Sequence, residues 1–252
     1  MIEVFLLSIV QGITEFLPVS SSAHLILISK YFNFNNQSIS LNMSLHAGSL
    51  FAVIIYFRND FFNFIQNKML FYKILVSSIP VMLAGYLLVK FNIVGYLQNY
   101  KIIGWMTIIF GIFLYFSDKT KTKKNINNNF NFKSAVYIGL FQVLSLIPGV
   151  SRSGITISAA RILDFNRTDS VKISFLLSIP TLSAVSFYNI INLYQTNNFN
   201  LSILNLIAIF LSFIFSYLTI KYFLDYIKKF NLTFFVIYRI LLGLIILLFS
   251  YL

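Results

Sequence analysis

The sequence predicts an all-α polytopic membrane protein. Of its 252 residues, 58% are hydrophobic and only 10% are charged, whereas a soluble domain carries roughly 25% charged residues. So few charges cannot cover a soluble surface. Residues 40–57, 173–194 and 201–220 contain no Lys, Arg, Asp or Glu, and each run approaches the ~20 residues that a helix needs to cross the hydrocarbon layer.

The apolar segments predict six transmembrane helices and two re-entrant helix–loop–helix hairpins. The six spans are about 40–57, 70–89, 102–117, 173–194, 201–222 and 232–252. Two further apolar stretches are interrupted, 3–31 at Pro18 and 134–163 at Pro148. Proline breaks the helical hydrogen-bond pattern, and lipid tolerates such a break only inside protein or beside a water-filled cavity. We therefore expect both stretches to enter the membrane and return.

The order of the segments predicts an inverted repeat within a single domain, 1–252. Pro18 and Pro148 lie 130 residues apart, and three spans follow each. Because three is odd, the two halves, about 1–117 and 132–252, must have opposite orientations, as in proteins whose broken helices meet near the membrane midplane. A Lys- and Asn-rich loop, about 118–131, joins them.

The distribution of Lys and Arg predicts the topology. With six crossings and two hairpins, most basic residues lie on one face, and only Lys30, Lys90 and Lys101 lie on the other. The first face is therefore cytoplasmic and both termini are outside. Topology thus explains the net charge of +12 without a nucleic-acid partner. The absence of cysteine excludes disulfides and thiolate metal sites.

Two charged residues are predicted to be buried and functional. Only Glu15, of seven acidic residues, lies well inside an apolar segment, and a charge near the bilayer centre costs ~2.5–3.5 kcal/mol. Arg152 is predicted to occupy the equivalent place in the second half, so that the two can pair. The pair either holds the hairpins together or forms a site. Gln11 shares a helical face with Glu15 and either helps it hold a divalent cation beside substrate phosphates or makes an interhelical hydrogen bond.

The first break also carries groups for acid–base chemistry. Ser20, Ser21 and Ser22 can cap the following half-helix, whose N-terminus favours an anion. His24 shares a face with Ser20 and Ser21. Serine, histidine and a nearby carboxylate supply an activated hydroxyl and a general acid or base, although such residues also fill interhelical hydrogen bonds.

The second break completes a predicted phosphate site. Arg152 presents a planar fork that matches phosphate oxygens, and serines and the helix N-terminus surround it. The predicted phosphate-binding residues are Ser20, Ser22, Ser151, Arg152, Ser153 and Thr156. Outside the site, His46 is expected to pack with one hydrogen bond, Arg239 to extend toward the cytoplasmic side, and Pro80 and Pro180 to kink their helices.

Two segments resemble the signatures of a known family. The run Gln11-Gly-Ile-Thr-Glu-Phe-Leu-Pro-Val-Ser-Ser-Ser-Ala-His24 and the run Pro148-Gly-Val-Ser-Arg-Ser-Gly-Ile-Thr156 resemble those of the undecaprenyl-diphosphate phosphatases, the bacitracin-resistance family. The resemblance implies a multi-pass enzyme of the bacterial plasma (inner) membrane. Its activity would be hydrolysis of undecaprenyl diphosphate to undecaprenyl phosphate and phosphate, which recycles the lipid carrier for peptidoglycan synthesis. It also implies a divalent cation (Mg²⁺ or Ca²⁺), a homodimer and a site open to the outer face.

The matching positions assign roles by resemblance. Glu15, Ser21, His24 and Arg152 would be catalytic, Gln11 and Glu15 would bind the metal, and Ser151, Arg152 and Thr156 would bind phosphate. Many members carry Glu where Gln11 stands, so this chain departs from a two-carboxylate site.

Two questions stay open from the sequence, namely which group attacks the phosphate and whether the protein is an enzyme or a transporter. Ser21 could attack while His24 protonates the leaving phosphate, or His24 or Glu15 could activate water. A transporter or lipid flippase is the competing function, because inverted repeats with broken helices are common in transporters.

Overall fold

The computed structural model describes residues 1–32, 34, 39–59, 68–195 and 202–251. In these ranges the chain forms ten long helices, with short helical turns at Val94–Leu97, Ile126–Asn129 and Leu144–Leu146. The long helices are α1 (Ile2–Thr14), α2 (Ser21–Tyr31), α3 (Ile39–Tyr56), α4 (Lys68–Lys90), α5 (Tyr100–Asp118), α6 (Phe132–Val143), α7 (Arg152–Ile162), α8 (Arg167–Gln195), α9 (Ile203–Lys229) and α10 (Thr233–Tyr251). The predicted interruptions are confirmed, since Pro18 separates α1 from α2 and Pro148 separates α6 from α7.

The two breaks end in the same local structure. Ser20 (φ 76°) and Ser151 (φ 73°) are left-handed, a conformation that non-glycine residues rarely adopt. Each caps the next helix: Ser20 Oγ accepts from Ala23 N (3.5 Å) and Ser151 Oγ from Gly154 N (3.2 Å). Each hydroxyl also lies 3.2 Å from that of the serine two residues on. Ser20 and Ser151 are therefore structural equivalents.

This equivalence corrects the alignment of the two halves. Pairing Pro18 with Pro148 matches Ser21 to Ser151, but the caps match Ser20 to Ser151, so the second break is one residue longer. Glu15 follows the last residue of α1, whereas Arg152 begins α7. The expectation that these two charged residues occupy equivalent positions was wrong, because they flank their breaks on opposite sides.

The helices of the two sequence halves interlock. Helix α1 packs on α9, and α6 packs on α4. Helix α3 contacts both α8 and α9, and α5 lies against α10. The first helix of each half therefore packs on the other half.

Five helices in the described ranges are long and apolar enough to cross a membrane: α4, α5, α8, α9 and α10. The predicted span 40–57 is present as α3, but it counts among the shorter apolar helices. Length and composition therefore support a multi-pass membrane protein, but they do not confirm the sixth span. Pro80 and Pro180 lie inside α4 and α8, which continue through them.

A polar cluster fixes the loop between the halves. Asp118, at the end of α5, accepts from Arg167 Nε (2.7 Å) and from Leu232 N (3.1 Å). Arg161 is 2% exposed and donates to the carbonyls of Asp118 (2.9 Å) and Thr120 (2.7 Å). Because these bonds join α5, the loop after it, α7, α8 and α10, the loop is part of the packed domain.

Glycine at the contact of α4 and α6 is required by close packing. A Cβ on Gly139 would collide with Ser77 O and lie 2.9 Å from Ser77 Cα. We expect Gly139→Ala to destabilise the protein by about 1–3 kcal/mol, because overpacking forces backbone shifts. Thermal unfolding in detergent measures this. Gly95→Ala is the matched control, since nothing lies within 4 Å of its added Cβ; equal melting temperatures of the two variants would contradict this packing.

Candidate active site

The two breaks bond directly to each other. Gly149 N donates to Ser20 Oγ (3.3 Å), and Ser153 Oγ donates to Leu17 O (2.7 Å). Backbone groups in a break lack helical partners, and in an apolar surrounding they must find others. Each break thus supplies hydrogen-bond partners for the other.

Arg239 joins both breaks from α10. Its side chain is fully buried. It donates to the carbonyls of Pro18 (3.3 Å), Gly149 (2.8 Å), Val150 (3.0 Å) and Thr107 (3.2 Å). The prediction that Arg239 extends toward the cytoplasmic side was wrong, because the carbonyls freed by the two breaks keep its guanidinium inside the protein.

Glu15 and Arg152 form the predicted ion pair. Arg152 Nη2 lies 3.0 Å from Glu15 Oε1, and the two side chains are 14% and 7% exposed. Arg152 Nη1 also donates to Ser174 O (3.0 Å) on α8. A buried charge is tolerated when it is paired and hydrogen-bonded, and both conditions are met here.

The other carboxylate oxygen of Glu15 faces a serine and an amide. Ser21 Oγ donates to Glu15 Oε2 (2.6 Å), and Gln11 Nε2 donates to the same oxygen (3.1 Å). Gln11 Nε2 also lies 3.0 Å from His46 Nδ1. Since an amide nitrogen can only donate, His46 Nδ1 accepts, and the neutral ring carries its proton on Nε2. His46 therefore makes its predicted hydrogen bond within this network.

His24 is engaged away from Ser21. Its Nδ1 donates to Ser20 O (2.7 Å), because a carbonyl can only accept. In the neutral ring, Nε2 then accepts from the Tyr238 hydroxyl (2.6 Å), and the two rings are nearly parallel. Within the described residues, the structure pairs Ser21 with Glu15, not with His24.

The predicted phosphate-binding residues differ in accessibility. Ser20, Ser151, Ser153 and Thr156 are buried and bond within the protein; Thr156 Oγ1, for example, donates to Ser174 Oγ (2.8 Å). Ser22 is exposed, and Ser21 and Arg152 are half-buried. The structure therefore brings the predicted residues together, and these three side chains are more accessible than the four buried ones.

Three contacts of the site were missed from the sequence: Tyr238 on His24, Ser174 on Arg152, and the carbonyl cluster on Arg239. Only Arg239 gave a signal, because a charge inside an apolar span requires partners. Serine and tyrosine are common in membrane helices and do not stand out.

The oxygen atoms of the site can be compared with the ligands that a hard divalent cation prefers. In the described ranges no three His, Cys, Asp or Glu residues cluster, so side chains of these four types alone do not form a metal cage there. Gln11 Oε1, however, is buried without a hydrogen-bond partner, next to the Glu15 carboxylate. Mg²⁺ commonly binds one or two carboxylates together with water and substrate phosphate. Gln11 and Glu15 fit that mode.

The class of protein follows from two observations. Five helices of the described residues are long and apolar enough to cross a membrane, and an acid, a guanidinium and a serine hydroxyl meet between two broken helices. The protein is therefore a multi-pass membrane protein with a buried polar site. The chain belongs to the bacitracin resistance protein BacA family, whose model matches residues 4–245. The family predicted from the two sequence signatures is thereby confirmed.

Curated relatives match along nearly the whole chain. An undecaprenyl-diphosphatase of Pelagibacter ubique is 52% identical over 251 residues, covering 99% of this chain and 98% of that protein. Undecaprenyl-diphosphatase of Saccharophagus degradans is 40% identical over 249 residues, with 94% and 93% covered. Undecaprenyl-diphosphatase 1 of Pseudoalteromonas translucida is 38% identical over 256 residues, 96% of each chain.

The Tyr238 hydroxyl is predicted to fix the hydrogen bonding of His24. The chain has only two histidines, so ¹⁵N-histidine labelling gives a simple spectrum. In Tyr238→Phe we expect the Nε2 resonance of His24 to move toward that of an unbonded imine nitrogen, while His46 is unchanged. His46→Gln assigns the signals. An unaltered His24 resonance in Tyr238→Phe would rule out this hydrogen bond.

Proposed function

We propose that this chain hydrolyses undecaprenyl diphosphate to undecaprenyl phosphate and inorganic phosphate. Membership of the family and the names of the curated relatives support this activity. The observation that carries the proposal is the contact of Ser21 with Glu15 (2.6 Å) and of Glu15 with Arg152 (3.0 Å). Glu15 thus lies within hydrogen-bond distance of both a serine hydroxyl and a guanidinium that can bind phosphate.

The terminal phosphate binds between the two breaks in this proposal. Arg152 offers a fork for two phosphate oxygens, and the N-termini of α2 and α7 add free N–H groups and the positive ends of their dipoles. Ser22, which is exposed, can donate a further hydrogen bond. Phosphoryl transfer depends mostly on such positioning and charge stabilisation.

Ser21 is the nucleophile in the reaction that the geometry favours. Its Oγ attacks the terminal phosphorus while its proton passes to Glu15 Oε2, and the bond from that phosphorus to the bridging oxygen breaks. Undecaprenyl phosphate leaves, and water then hydrolyses the phosphoserine to release phosphate. Glu15 suits the role of base better than His24, because the serine hydroxyl already donates to it.

His24 is the proposed acid for the leaving phosphate. In the structure its Nε2 accepts from Tyr238, so this role requires a proton on Nε2 and a reversal of that hydrogen bond. Activation of water by Glu15 is the competing mechanism.

Gln11 and Glu15 are the proposed ligands of a divalent cation, Mg²⁺ or Ca²⁺. When bound there, the cation would neutralise charge on the phosphate oxygens. With one carboxylate in place of two, the substrate phosphate must complete the binding.

The cellular setting is also proposed. The chain is a multi-pass membrane protein, and the distribution of Lys and Arg supports a bacterial plasma membrane topology with both termini and the site on the outer side. The finer architecture, six crossings and two re-entrant hairpins in an inverted repeat, is supported by the two equivalent capped breaks. There the enzyme recycles the lipid carrier of peptidoglycan synthesis, as a homodimer.

The decisive experiment is release of phosphate from undecaprenyl diphosphate by the purified protein, with and without a chelator. Release that stops on chelation supports both the activity and the cation. Transbilayer movement of the lipid in vesicles, without phosphate release, would favour the alternative of a transporter or flippase.

The planar, two-pronged geometry of the Arg152 guanidinium is predicted to be essential for activity. We expect Arg152→Lys to lower kcat/KM by about 10- to 100-fold, because a charged hydrogen bond contributes roughly 1.5–3 kcal/mol. Steady-state phosphate release measures it. Arg58→Lys, at an exposed position, is the control. Wild-type turnover in Arg152→Lys would remove Arg152 from the phosphate site.

Replacement of Ser21 distinguishes attack by the serine from attack by water that Glu15 activates. We expect Ser21→Ala to reduce turnover by at least about 10³-fold and up to about 10⁶-fold, the loss that removal of a serine nucleophile can cause, and acid quenching of the wild type to trap a phosphoserine at Ser21. The neighbouring variant Ser22→Ala should lose much less. Full activity in Ser21→Ala would mean that water is the nucleophile.

A further inference from the structure

One polar side chain next to the candidate active site is not used by the proposed reaction. His46 lies on α3, 35 residues from Gln11 in the sequence, yet its Nδ1 is 3.0 Å from Gln11 Nε2. Gln11 is fully buried, and its Nε2 donates to the Glu15 carboxylate (3.1 Å). A single side chain therefore links His46 to the group that is proposed as the base.

Close packing of three helices sets the distance between His46 and Gln11. A Cβ on Gly12, next to Gln11 on α1, would lie 3.1 Å from Ser212 O on α9. A Cβ on Gly48, two residues after His46 on α3, would lie 2.8 Å from Ser212 Cβ. Small residues let membrane helices approach closely, and here α1 and α3 both meet α9 at the same serine. Helix α9 thus holds the backbones that carry Gln11 and His46 at a set separation.

Both N–H groups of the Gln11 amide are used. A carboxylate can only accept a hydrogen bond, so the amide nitrogen, and not the amide oxygen, must face Glu15 Oε2. The second N–H points to His46 Nδ1. Because resonance keeps an amide planar, two bonded N–H groups fix the orientation of the whole group.

This orientation leaves the amide oxygen free. Gln11 Oε1 is buried, and it has no hydrogen-bond partner among the described residues. A buried polar atom without a partner is rare in native proteins, and it calls for an explanation such as an ion, a water or a catalytic role. It shares a carbon with Nε2, which is 3.1 Å from Glu15 Oε2. Oε1 is therefore the one polar atom of the amide that is left to bind a ligand beside Glu15.

We propose that His46 is a positioning residue, which holds the Gln11 amide so that Oε1 stays available as an oxygen ligand beside the Glu15 carboxylate. This role rests on the proposed function, in which Gln11 and Glu15 bind a divalent cation. His46 acts through its hydrogen bond to Gln11. Partners of this kind orient the residues that bind a metal and thereby tune its affinity.

Replacement of His46 by leucine or by glutamine tests this role. Leucine cannot accept a hydrogen bond, whereas the glutamine side-chain oxygen can accept from the Gln11 amide. We expect His46→Leu to raise the Mg²⁺ concentration for half-maximal phosphate release at least about tenfold, as loss of an orienting partner typically does. Because excess cation compensates for a weaker site, kcat at saturating Mg²⁺ should change little. His46→Gln should restore most of the Mg²⁺ affinity.

The matched control is Ser44→Ala. It also removes a buried hydrogen-bonding group from α3, but the Ser44 hydroxyl donates to Ser40 O of the same helix (2.8 Å). The Mg²⁺ dependence of this variant should equal that of the wild type. An unchanged Mg²⁺ dependence in His46→Leu, with only a lower melting temperature, would reduce His46 to a packing role. Phosphate release by the wild type without any divalent cation would overturn the ligand role of Oε1, and the role of His46 with it.

A double-mutant cycle shows whether His46 acts through Gln11. Gln11→Met removes the amide, so adding His46→Leu in that background should have almost no further effect on the Mg²⁺ dependence. An effect as large as in the wild-type background would mean that His46 acts independently of Gln11, which contradicts the positioning role.

The Gln11 amide itself gives a readout that needs neither turnover nor cation. In protein labelled with ¹⁵N-glutamine and freed of divalent cations, we expect one Gln11 amide proton to move upfield in His46→Leu but not in His46→Gln or Ser44→Ala. The loss of a signal in Gln11→Met assigns it. Unchanged Gln11 signals in His46→Leu would contradict the hydrogen bond and the inference. The expected shifts in a protein that releases no phosphate would contradict the proposed function alone.

Discussion

The structure depends on satisfying the polar backbone of two broken helices inside an apolar protein. A break at Pro18 or Pro148 frees carbonyl and amide groups that lipid cannot solvate. Arg239 supplies donors to both breaks from a third segment of the chain, and Ser20 and Ser153 bond one break to the other. A guanidinium can do this where an ammonium cannot, because its N–H groups point in several fixed directions.

The same constraint gathers the reactive groups. Once the breaks are tied together, Glu15 at the end of one half-helix faces Arg152 at the start of another, and Ser21 lies against the free carboxylate oxygen. The ion pair joins the segments on either side of the two breaks, and in the proposed reaction its guanidinium also faces the phosphate. The structural role and the binding role predicted for the pair from the sequence are therefore compatible.

Individual residues show which features of the structure the sequence predicts and which it does not. The breaks, the capping serines and the partnership of Glu15 with Arg152 followed from a short list of polar residues in an apolar chain. The alignment of the halves was off by one residue, because proline marks a break whereas the left-handed serine marks where the next helix starts. His24 was expected beside Ser21, yet it bonds to Tyr238, 214 residues away, and helical spacing carries no information about such a partner.

The sequence alone determined the class of protein, the positions of the helix breaks and the kind of chemistry, because hydropathy, proline and buried charge act locally along the chain. Only the tertiary structure decided that Ser21 donates to Glu15, that His24 bonds to Tyr238, and that Arg239 is enclosed by carbonyls. Those outcomes depend on which distant segments meet, and packing between the halves sets that.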